Sequence, residues 1–227
     1  MVLPLNDAQQ EAVVYTQGPE LILAGAGSGK TRVLTHKVAY LIKEKHIEPG
    51  HILIVTFTNK AASEIKERIR ILLTYNLQLQ PKADRPLADT THLPRRQASN
   101  SPFAGTFHSL SAKILRHHGR EIGLSPGFSI YDENDQKEVV KEVMVQLDIS
   151  QKQFHPGAIL AAISQAKNEL VTPLEYLNLA HGMFQQTVSR IYVEYQKHLI
   201  ANAALDFDDL LMETVRLLTT TPHIRKD

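Results

Sequence analysis

Cysteine and tryptophan are absent from the 227 residues, and Phe and Tyr number only seven each. Without cysteine there is neither a disulfide framework nor a thiolate metal site, which fits a reducing interior. Long apolar runs are missing too. No segment approaches the roughly 18 uninterrupted apolar residues of a spanning helix, and the start, MVLPLNDAQQ, lacks the basic and apolar regions of a leader. No membrane partner and a cytoplasmic location are therefore expected. An excess of one charge is likewise lacking: 25 basic residues stand against 24 acidic ones, for a net charge of +1. Nothing pushes the whole molecule toward nucleic acid, so any such binding has to come from a local arrangement. What is present is 43% apolar residues in a chain long enough to bury a core, as one large domain or two unequal ones.

The chain changes character along its length. Leu21-Ile22-Leu23-Ala24 and Ile52-Leu53-Ile54-Val55 read as strands, each followed by a helical pattern. Between them Val33, Leu34, Val38, Leu41 and Ile42 fall at helical spacing over Thr31 to Lys45, and Pro49-Gly50 closes the connection. The expectation is a right-handed βαβ unit with a parallel sheet. Residues 74 to 102 scatter Pro81, Pro86, Pro94 and Pro102 among polar residues and read as a mobile surface loop. Phe103 to Phe107 is a candidate third strand. Helical patterns then dominate, over Ser109 to Arg120, Asp135 to Leu147, Gly157 to Glu169 and Phe184 to Ile200.

The strongest motif follows the first expected strand. Ala24-Gly25-Ala26-Gly27-Ser28-Gly29-Lys30-Thr31 fits a phosphate loop, with Ala24 where glycine is usual, a substitution tolerated if that residue keeps negative φ. Small residues let successive backbone amides face an anion, and the following helix adds its positive end. Lys30 would reach the β- and γ-phosphates of ATP, and Thr31 would ligate Mg²⁺. The plain alternative is a glycine-rich turn with an exposed lysine. Upstream, Gln9 lies close enough for its amide to donate to and accept from an adenine.

A further stretch stands at a strand end. Thr56-Phe57-Thr58-Asn59-Lys60 combines hydroxyls, an amide and a helix N-terminus suited to phosphates with an aromatic face suited to stacking. The structural alternative is a helix start, with Thr58 or Asn59 as the cap and Phe57 in the core. In Asp206-Phe207-Asp208-Asp209 three carboxylates crowd together. Capping by Asp206 or Asp208 of a helix running to Leu218 is the better reading than a metal site, and no apolar strand is expected before it.

Taken together, LNDAQQEAV, AGAGSGKTRVL, TFTNKAASEIKERI, GTFHSL and DFDDLL resemble, in order, the motifs of the Rep/UvrD/PcrA-type helicases of superfamily 1, across nearly the whole chain. The resemblance implies an α/β fold: a P-loop RecA-like lobe 1A (1–108), an inserted helical lobe 1B (109–203) and a segment returning to lobe 1A (204–227). It implies ATP and Mg²⁺ as cofactors. Gln9 would contact adenine, Arg32 would lie near the base or ribose, and Ala24 to Thr31 would surround the phosphates. Thr56, Phe57, Asn59, Lys60, Thr106, Phe107 and His108 would face single-stranded DNA or a single-strand/duplex junction, with Phe207 near the same track. The 74–102 loop is much longer than the family's usual connection.

Hydrolysis by this class needs a carboxylate at a second strand end and a neighbouring acid. Ser129-Ile130-Tyr131-Asp132-Glu133 resembles such a site only superficially, because its apolar run is short and Asp132 reads better as a cap. The family's acidic motif II, arginine finger and second RecA-like lobe lie beyond the matched motifs. The expectation is the nucleotide- and DNA-contacting N-terminal part of a 3′-to-5′ helicase, with the C-terminal half as a missing partner and no complete catalytic set. The alternatives are a non-catalytic module binding single-stranded DNA or a partner, and a phosphotransferase with Arg85, Arg95 and Arg96 on a closing lid.

Overall fold

A computed structural model describes residues 5–77 and 101–226. The chain divides into two compact units, Met1–Phe107 and His108–Asp227.

The first unit is built from α1 (Asp7–Val14), α2 (Lys30–Lys43), β1 (Leu53–Thr56), α3 (Asn59–Leu77) and β2 (Phe103–Thr106). β1 and β2 pair in parallel, from Leu53 opposite Phe103 to Thr56 opposite Thr106. Val38 of α2, Ile52 and Ile54 around β1, Ile65 and Ile69 of α3, and Ala104 of β2 form its core, with Leu41, Ile42 and Leu73 packed against it. The apolar positions of α2 and α3 recur at three- and four-residue spacing, so each helix lays one stripe on this small sheet. α3 continues to Leu77 and so takes up the start of the expected 74–102 loop; Arg85, Arg95, Arg96 and the rest of 78–100 lie outside the described residues.

One expected element is corrected. Leu21 to Ala24 forms no strand, and Leu21 and Leu23 are 82% and 86% exposed. A strand exists only through a ladder partner, and among the described residues none pairs with this run. The parallel βαβ unit forms one step later instead, from β1 through α3 to β2.

The second unit is helical: α4 (Phe107–His118, whose first residue closes the first unit), β3 (Ser129–Ile130), α5 (Glu133–Gln146), α6 (Pro156–Asn168), α7 (Pro173–Leu179), α8 (Gly182–Ala201), β4 (Ala204–Leu205) and α9 (Phe207–Thr220). Val140, Met144, Ile159, Ile163, Ile191 and Tyr195 are among the buried side chains that join α5, α6 and α8. Each is worth about 1.5–3 kcal/mol of transfer free energy. A second cluster packs Leu205, Leu210, Leu217 and Ile224 against Ala112, Leu115 and Phe128, so residues 204–226 close on α4. Asp132 caps α5 through the amides of Asn134 and Asp135, as its sequence position suggests. A strand does precede α9, contrary to expectation: β4 is two residues long and pairs in parallel with β3. Two residues leave too little pattern to read. No helix among the described residues is long and apolar enough to cross a membrane.

Candidate functional site

The glycine-rich loop of residues 24–31 leads from the exposed run at Leu21 into α2. Gly27 and Gly29 take positive φ, +76° and +90°, in the left-handed region that L side chains avoid. Ala24 is not among the non-glycine residues with positive φ, so alanine there causes no strain. Gly29 is the N-cap of α2. The amides of Lys30 and Thr31 that follow have no acceptor within the helix, because the first turn never does. At the same end, the helix dipole favours an anion.

Lys30 folds back over the loop. Its Nζ donates to the carbonyls of Ala24 at 3.0 Å and Gly25 at 2.8 Å. Ser28 Oγ donates to the Gly25 carbonyl at 2.7 Å, which draws the turn closed. Gln9 holds it from outside: its Nε2 donates to the Ser28 carbonyl at 2.9 Å. The same side chain completes a capping box on α1: its Oε1 accepts from the Asn6 backbone N–H, and the Gln9 backbone N–H donates to Asn6 Oδ1. A Cβ on Gly29 would lie 2.9 Å from Gln9 Nε2 and would displace that side-chain tip, while the positive φ is what calls for glycine here. Gln9 is thus tied to the loop, with both halves of its amide engaged. Thr31 and Arg32 are half-buried in the first turn of α2, and Lys37 anchors that helix to the Ala12 carbonyl of α1 at 3.1 Å and to Glu20.

The strand ends form the second part. Thr56 and Thr106 are register partners at the C-terminal edge of the parallel pair, and each is followed by a phenylalanine. Phe57 is 96% exposed and Phe107 is 57% exposed. The core reading of Phe57 is therefore overturned. The capping reading of the same segment holds, since Thr58 Oγ1 accepts from the Ala61 amide at 3.1 Å at the start of α3. Asn59 and Lys60 are exposed in the first turn of α3, where free amides also point outward. Thr56 Oγ1 donates to the Thr58 carbonyl at 2.9 Å, which fixes the bend after β1.

In the second unit, His108 and Phe207 meet although 99 positions separate them in sequence. Their ring centroids are 5.8 Å apart at 72°, an edge-to-face contact. Phe207 remains 48% exposed. Asp206, the residue before it, belongs to a group whose lysine sequence patterning did not single out. Lys167 of α6 is buried, and its Nζ donates to Asp206 Oδ2 at 2.6 Å and to Asp209 Oδ1 at 2.7 Å. Tyr195 Oη donates to Asp206 Oδ2 at 2.9 Å. Asp206 and Asp209 also form the capping box of α9. Burial pushes the Asp209 carboxyl above its usual range, outweighing the opposing pull of Lys167, and burial with the nearby Asp206 carboxylate raises the Tyr195 hydroxyl. These carboxylates are spoken for, and no group of three or more metal-ligating side chains occurs among the described residues. One signal for Lys167 was present: it continues the Ile159, Ile163 stripe at four-residue spacing, placing a cation on an apolar helix face.

Nearby, Glu213 of α9 lines a cavity of about 960 Å³ with Phe128, Tyr192, Val193, Met212 and Val215. Its carboxyl is raised by burial, partly offset by Arg216, whose Nε lies 3.1 Å from Glu213 Oε2. In the basic run of α4, Arg116 stacks over Phe128 with 5.4 Å to the ring centroid, and His117 and His118 pack edge to face.

Comparison with known proteins gives the family. The UvrD/REP helicase N-terminal domain matches residues 5–227. The chain is 46% identical over 220 residues to the ATP-dependent DNA helicase PcrA of Bacillus subtilis, covering 97% of this chain and 27% of that protein. It is 42% identical over 223 residues to PcrA of Staphylococcus epidermidis, covering 98% and 28%, and 40% identical over 220 residues to PcrA of Leuconostoc citreum, covering 97% and 27%. The chain thus spans little more than a quarter of these relatives, and it belongs to the UvrD/REP helicase N-terminal domain family.

Proposed function

We propose that this chain is the ATP-binding and single-strand-contacting N-terminal part of a 3′-to-5′ DNA helicase. The observation that carries the reading is one compact unit holding both a glycine-shaped loop ending in Lys30-Thr31 and two exposed phenylalanines at the C-terminal edge of a parallel strand pair. Residues 1–108 are the nucleotide lobe, 109–203 the helical lobe, and 204–227 the segment that corresponds to the family's return segment.

The loop amides and Lys30 take the triphosphate. Lys30 exchanges its two carbonyl acceptors for phosphate oxygens, a stronger charge-assisted pairing. Thr31 would hold Mg²⁺, which would supply positive charge against the triphosphate. Gln9 is placed to read the adenine, giving up the Ser28 carbonyl to do so, and Arg32 lies by the base or ribose. Phe57 and Phe107 stack bases of any identity, while the hydroxyls of Thr56 and Thr106, Asn59, Lys60 and the first-turn amides meet the phosphates. In the second unit, His108 and Phe207 offer a further aromatic pair to a base.

By itself the chain binds without turning over. β1 and β2 both end in threonine, so neither presents the acid that phosphoryl transfer to water requires at a strand end. The expected outcome is fluorescent-ATP binding that Lys30→Ala weakens at least about tenfold, with ATPase at background even in the presence of oligo-dT. Robust DNA-stimulated hydrolysis would overturn the non-catalytic part of the proposal. Phosphorylation of a nucleoside monophosphate, indifferent to DNA, would favour a phosphotransferase instead.

A further inference from the structure

We propose that Lys167 is a positioning residue for the single-strand track: it fixes the N-terminus of α9 so that Phe207 stands edge-on to His108 with its other face open to a base. The proposal rests on the single-strand reading above and adds to it a residue that touches no DNA.

Phe207 is the first residue of α9, inside the capping box closed by Asp206 just before it and Asp209 two positions after it. On one side, Asp206 receives three donors: Lys167 Nζ at 2.6 Å, Tyr195 Oη at 2.9 Å and the Asp209 amide at 2.8 Å. On the other, Asp209 receives Lys167 Nζ at 2.7 Å, the Asp206 amide at 3.1 Å and Gln196 Nε2 at 3.4 Å. Asn168 Nδ2 adds a donor to Asp208 Oδ1 at 3.3 Å. A helix N-cap needs a single side-chain acceptor. The buried ammonium adds nothing to capping, and taking it out of water is costly even when it is paired. What it does add is geometry, since one cation joins α9 to α6 while Tyr195 and Gln196 join it to α8. Both carboxylates are buried, so the peptide units flanking Phe207 have little freedom. The ring itself is half exposed and has His108 on one edge, so its direction is inherited from that backbone.

The test is a double-mutant cycle on the full 227-residue chain, read by fluorescence titration of oligo-dT carrying 2-aminopurine, a base whose emission reports stacking. Lys167→Met should weaken binding roughly fivefold or more and reduce the stacking signal, as Phe207→Ala does. In the Phe207→Ala background the same substitution should change affinity less than about twofold, because its effect has already been removed. Equal losses in both backgrounds, or no loss in the first, overturn the proposal, since a general weakening of the fold would act irrespective of Phe207. If Lys167→Met does not fold, Tyr195→Phe replaces it, removing one donor to Asp206 with little change in packing; it is judged by the same comparison. Failure of the unaltered chain to bind oligo-dT sinks the single-strand reading itself, a result distinct from binding with an additive cycle.

Discussion

Phe57 shows how a single side chain separates two readings of one segment. Thr58 caps α3 as an ordinary helix start would, yet the phenylalanine beside it is 96% exposed, and an isolated fold gains nothing from presenting that surface to water. Base stacking on an aromatic is worth about 1–3 kcal/mol. Phe57→Ala should therefore weaken oligo-dT binding by that amount without altering its salt dependence, because no phosphate contact is lost. Lys60→Ala should instead lower the slope of log affinity against log salt by about one. Titrations at several salt concentrations distinguish the two, and a changed slope for Phe57→Ala would contradict a stacking role. Glu213 offers a test by pH. Burial raises its carboxyl above the ordinary 4.5, so the fold favours the neutral form. That contribution is complete below the unfolded value and is lost as pH rises through the folded one. Glu213→Gln, neutral throughout, should gain in melting temperature relative to the unaltered protein as pH climbs from about 4.5 toward neutrality. A difference that stays flat would show that Arg216 compensates the buried charge fully.

Among the elements, helices were legible and strands were only partly so. α2, α5, α6 and α8 lie within a few residues of where apolar spacing puts them, because a helix satisfies its own backbone and needs only one stripe to pack. Leu21 to Ala24 has the composition of a strand but no ladder partner among the described residues, and β4 is too short to carry a pattern. The helix ends hold a further feature that composition hides. Ala203, at the close of α8, has φ of +45°. A left-handed conformation costs an L-residue about 1–2 kcal/mol, and glycine avoids this while losing roughly 0.5–1 kcal/mol through the unfolded chain. Ala203→Gly should accordingly stabilise the protein by up to about 1 kcal/mol in urea unfolding. A loss of stability would mean that the alanine methyl contributes packing which outweighs the strain.

At the scale of the whole molecule, two units have separate cores, one around β1 and β2 and one around α5, α6 and α8. The exposed Leu21 and Leu23 belong to neither. Replacing both by serine should leave the urea midpoint within the equivalent of about 0.5 kcal/mol, as for other surface substitutions, and should raise the concentration at which light scattering begins. A large drop in stability would show that the run is buried in solution.

Sequence alone determined the glycine-rich turn before α2, the helical stripes and the order of the motifs, because backbone conformation and helix periodicity are properties of neighbours in the chain. Tertiary structure alone decided that Phe57 faces solvent, that His108 meets Phe207, and that Lys167 is enclosed by Asp206, Asp209 and Tyr195. Those outcomes depend on which distant segments share a core and on how much water they exclude, and no local spacing records either.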